Sequence, residues 1–65
     1  MAPKYDVSAT AIDGNAFSIM AAVTSALRKE GVGQEEIEQY LSESMSADYT
    51  HLVGVAMKWV RLETD

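Results

Sequence analysis

The chain has 65 residues, 48% of them apolar, with no cysteine, one histidine and a formal net charge of −5. That length holds one hydrophobic core and buries only roughly 60% of the surface exposed on unfolding, so a single, marginally stable domain over residues 1–65 is expected. Without thiols there are no disulfides or thiolate zinc sites, one imidazole cannot build an all-nitrogen metal site within one chain, and the acidic balance disfavours general binding to nucleic-acid phosphates.

Residues 1–3 read as a loose end. Tyr5, Val7, Ala9 and Ala11 then alternate with Asp6, Ser8 and Thr10, the period of a strand with one buried face, which predicts a strand over residues 4–11. Asp13 and Asn15 both carry oxygens that can cap a first helical turn. With Asp13 as the cap, Ile12 and Phe17 stand in staple positions. Ala16, Ile19, Met20, Val23, Ala26 and Leu27 share one side of a helix within residues 13–31. Arg28 and Lys29 complement its carbonyl end, and Gly31 supplies a left-handed stop. The far side of this helix (Ser18, Ala21, Ala22, Ser25) is small rather than charged and is expected to lie under the strands.

Gly33 can cap a second helix over residues 34–44, with Glu35 and Glu36 in its first turn and Val32 and Ile37 as a staple. Ile37, Tyr40, Leu41 and Met45 form its apolar stripe, with Glu35, Glu38, Gln39 and Glu43 as a solvated face. After a break at residues 46–48, in which Asp48 is the favoured cap, Leu52, Val53, Ala56 and Val60 share a side flanked by Val55 and Trp59. That broad arc predicts the most buried of the three helices. Thr50, His51, Gly54 and Lys58 make its polar stripe, where Gly54 costs roughly 1 kcal/mol relative to alanine. Residues 59–63 fit either a helix end or a short strand; the strand is favoured, because the first strand would otherwise have an unpaired backbone. The expected fold is α+β, in the order β-α-α-α-β, with a two-stranded sheet made from both chain ends. The alternative is an all-α three-helix domain.

No residue set adds up to a catalytic, cofactor or metal site, and an enzyme is not expected. The GVG at residues 31–33 is a turn between helices rather than a strand-to-helix phosphate loop. The carboxylates of the second helix lack the spacing of a calcium loop. Tyr49, His51, Lys58, Trp59 and Arg61 bring aromatic, imidazole and cationic groups into one short segment and form the candidate interaction surface. Against this, so small a core needs Trp59 and Tyr49 for buried area. No apolar run approaches a membrane span, and the opening MAPKYDVS has no apolar signal region, so no membrane association and a cytoplasmic location are expected. With disulfides and metals excluded, self-association is the remaining aid to stability.

GNAF at residues 14–17, DYTHL at 48–52 and MKWV at 57–60 carry a resemblance, over residues 7–62, to a group of short bacteriophage- and prophage-encoded proteins of unknown function. The resemblance implies an accessory protein of a bacterial cytoplasm and carries over no catalytic residue. MKWV is also similar to a stretch of three-helix ubiquitin-associated domains, whose glycine-centred first loop is not matched here. The leading expectation is a non-enzymatic, self-associating interaction module that binds a host or viral protein, its acidic second helix able to imitate nucleic-acid charge. The competing one is a small-ligand binder or minor enzyme with a pocket between subunits that uses His51 and Arg61.

Overall fold

The computed structural model describes residues 3–45 and 48–64, in the order β1 (Ser8–Ala11), α1 (Ala16–Lys29), α2 (Gln34–Met45), α3 (Tyr49–Trp59) and β2 (Arg61–Thr64). The two strands pair in parallel, with Ser8 opposite Arg61 and Ala11 opposite Thr64. A parallel pair needs a long crossover, and here the three helices supply it. This is the expected β-α-α-α-β arrangement, not the all-α alternative. The expectations placed on residues 1–2 and 46–47 lie outside the described residues.

Each helix is delimited by local chemistry. Asn15 is the N-cap of α1, its side-chain oxygen accepting from the Phe17 N–H at 2.8 Å. Asp13 caps no helix; its carboxylate accepts the Asn15 N–H instead, also at 2.8 Å. The start therefore falls two residues later than a cap at Asp13 would put it. The staple does not form, and Ile12 and Phe17 are each 80% exposed. At the other end Gly31 adopts φ 85°, the Val32 N–H reaches the Leu27 carbonyl and the Gly31 N–H the Arg28 carbonyl. That pair of bonds is the Schellman stop, which glycine enters without a Cβ penalty. The Gly33 carbonyl accepts from Glu36 and Ile37 to open α2, and Asp48 caps α3 through the His51 N–H.

Ile19, Val23 and Leu27 of α1 meet Ile37 and Tyr40 of α2 and Leu52, Val55, Ala56 and Trp59 of α3 in one core. The elements pack around α1, which touches β1, α2 and α3. α3 likewise touches α1, α2 and β2; expected to be the most buried helix, it buries Leu52, Val55, Ala56 and Trp59 and leaves Tyr49 and Met57 largely in solvent. Ala9 and Ala11 are buried against α1; as alanines they let the strand backbone approach closely. Only half of the small-residue side of α1 is covered, with Ser18 and Ala22 half-buried and Ala21 and Ser25 exposed.

The predicted strand over residues 4–11 shortens to Ser8–Ala11. Lys4 and Tyr5 lie in a bend, with the Val7 N–H turning back to the Tyr5 carbonyl, and they pair with a helix end. Their N–H groups donate to the Lys58 and Trp59 carbonyls at 2.8 and 2.9 Å, satisfying acceptors that the end of α3 leaves open. Ser44, which follows Ile37, Tyr40 and Leu41 at helical spacing, is fully buried.

Candidate functional site

The residues singled out from the sequence stand at two ends of α3, with His51 and Trp59 both reaching Glu43 of α2. Eleven residues of helix span about 16 Å, with Tyr49 and His51 in the first turn and Lys58 and Trp59 in the last. At the first end the Tyr49 hydroxyl donates to the Gly14 carbonyl, tying α3 to the turn before α1. The His51 Nε2 lies 3.1 Å from the Glu43 carbonyl oxygen. A carbonyl only accepts, so Nε2 carries a hydrogen, and the ring satisfies one of the last carbonyls of α2.

At the other end Trp59 is 4% exposed and belongs to the core. Tyr5 stacks on it with ring centroids 6.1 Å apart, and Tyr40 meets it edge-on at 5.8 Å. The Lys4 ammonium sits 4.3 Å from the Trp59 ring centroid and 3.0 Å from a Glu36 carboxylate oxygen. Hydrogen bonding to Glu36 raises the Tyr5 phenol above its usual value, and the same bond, with that from Lys4, lowers the Glu36 carboxyl. The Trp59 indole N–H points to the Glu43 carboxylate at 3.4 Å. Arg61 pairs with Asp6 outside this cluster. Of the aromatic and cationic residues singled out, Trp59 alone takes part in the cluster that clasps the N-terminal arm to α2 and α3. Lys4 and Tyr5, read from sequence as strand, are its missing members; an apolar–polar alternation in sequence does not distinguish a strand from an arm that bends against a helix end. His51 and Arg61 are not brought together within one chain.

A different surface is open. Thr10, Ile12, Phe17, Ser18, Ala21 and Ala22 line a shallow groove of about 390 Å³. A neighbouring depression of about 290 Å³ continues along β1, bordered by Ser8, Ser25 and Lys29. Phe17 escapes detection by sequence because its position also suits a staple. Among the described residues no group of three or more His, Cys, Asp or Glu is placed to hold a metal ion, and no helix is long and apolar enough to cross a membrane. Comparison with protein-family models, curated proteins and solved structures finds no match to this chain.

Proposed function

We propose that this chain is a small non-enzymatic interaction module, an accessory protein of the phage type that acts by covering the surface of a host or viral protein. The reading rests on Ile12 and Phe17, two large apolar side chains each 80% exposed beside one groove. A chain this short has few large apolar groups to spare for solvent, and clustered apolar exposure marks contact surfaces. Tyr49, His51 and Arg61 are engaged in holding elements together, and the Ile12–Phe17 face is the contact surface.

The test compares immobilised wild type with the Ile12→Ser/Phe17→Ser double variant in quantitative capture from bacterial and phage-infected lysates. Both side chains lie outside the core, so the variant should keep its circular dichroism spectrum. A protein retained by wild type and lost by the variant is the expected result. Identical capture by the two folded proteins would refute the reading.

A further inference from the structure

The groove beside Ile12 and Phe17 runs along a strand edge that nothing in the chain covers. In the parallel ladder the Arg61 N–H donates to the Val7 carbonyl. By the alternation of such ladders the backbone groups of residues 9 and 11 face β2, and those of Ser8 and Thr10 face outward. Among the described residues no backbone hydrogen bond reaches that outward edge. Proteins normally blunt free edges with charge or proline. β2 follows this rule, carrying Arg61 and Glu63. β1 does not: its sequence is SATA, and its flank is Ile12, Phe17 and the exposed Ala21 and Ser25 of α1.

We propose that a second copy of this chain occupies this edge, β1 pairing antiparallel with β1 of the copy about a two-fold axis at Thr10, to give one four-stranded sheet. The inference rests on the reading that the Ile12–Phe17 face is a contact surface, and it names a second copy of this chain, rather than a host or viral protein, as the occupant. Charge favours this partner. A chain of net charge −5 resists its own kind unless the touching faces are neutral or complementary. Here the glutamates of α2 lie on another element, and the face is self-complementary. Ser8 lies beside Lys29 at the end of α1, and Thr10 and Ile12 lie beside Phe17 near its start. α1 therefore runs opposite to β1, and a two-fold axis at Thr10 sets Ser8 across from Ile12 of the copy. Lys29 is thereby brought towards Asp13 of the copy. Among the described residues neither Arg28 nor Lys29 has a carboxylate partner, and Asp13 has no cation. The exposed Ala21 and Ser25 allow the two α1 helices to lie side by side beneath the joined strands. An isologous interface of this kind closes on itself and does not polymerise.

Solution mass by light scattering across a concentration series tests the proposal, with two variants. Thr10→Lys sets two ammonium groups directly opposite one another across the axis. Thr10→Cys, in a chain that otherwise has no cysteine, sets two thiols across a pair whose Cα separation is about 5.5 Å, within disulfide range. The expected result is a wild type that rises from one to two chain masses. Thr10→Lys should stay at one mass with an unchanged circular dichroism spectrum. Thr10→Cys should give a covalent dimer under mild oxidation far faster than Glu63→Cys on the other strand. A wild type of single mass at millimolar concentration overturns the inference, while the capture comparison of Ile12→Ser/Phe17→Ser still decides the contact-face reading separately. A dimer that persists in Thr10→Lys and gives no cross-link through Cys at position 10 also overturns it, because the copies then meet elsewhere.

Discussion

Replacing Gly54 by alanine should stabilise the protein, and the same change at Gly31 should destabilise it, although an added Cβ meets nothing within 4 Å at either position. Gly54 is the sixth residue of the eleven in α3 and is exposed. Among the described glycines only Gly31 has a positive φ, so alanine at 54 costs no backbone strain. The helix propensity gained is about 1 kcal/mol. For a domain of this size that raises Tm by about 4–8 °C. At Gly31, with φ 85°, a Cβ costs about 1–2 kcal/mol through its close approach to the following carbonyl oxygen. Since the whole folding free energy of such a chain is only several kcal/mol, both effects are large enough to read in a thermal melt followed by helical ellipticity. A lower Tm for Gly54→Ala would show that something packs on that face of α3. An unchanged Tm for Gly31→Ala would refute the Schellman stop.

Asn15→Ala should cost about 1 kcal/mol of stability in a denaturant titration, and Asp13→Ala clearly less, because Asn15 holds the helix N–H and Asp13 only the turn before it. Burial raises the Tyr40 phenol, so the native state holds its proton where the unfolded chain has lost it, and stability should fall as pH rises past the ordinary tyrosine value. The Glu36 carboxyl is lowered by Tyr5 and Lys4. Its contribution is present above the ordinary glutamate value and is lost as pH falls through the folded one; the emission of Trp59, on which the arm packs, should report that loss, and Glu36→Gln should abolish the pH-dependent step.

The sequence carries the fold wherever a single residue type decides a boundary. Asp48 has an oxygen at the right offset for His51, Gly31 alone suits a left-handed stop, and the unpaired backbone of a lone strand requires a partner from the other chain end. It misleads where two structures share one signal. Asp13 and Asn15 are both good caps, and choosing between them moves Phe17 from packed to exposed. Tyr5 and Val7 alternate equally well in a strand and in an arm that caps a helix. Ser44 falls on the apolar periodicity of α2, yet a hydroxyl there reads as surface. For the candidate site, nearness in sequence between Tyr49 and Arg61 is not nearness in space, because a helix stretches the segment between them. Thr10 and Ala21, eleven positions apart, line one groove because the chain turns back between β1 and α1.

Residue-resolved amide exchange at low and high protein concentration tests the pairing of the chain ends and the open edge together. The Ala9 and Ala11 amides should exchange slowly at both concentrations, held by β2. The Thr10 amide should exchange fast when the protein is dilute and slow when it is concentrated. Rapid exchange at Ala9 and Ala11 would show that the strands do not pair, and a Thr10 amide indifferent to concentration would show that its edge meets no second copy.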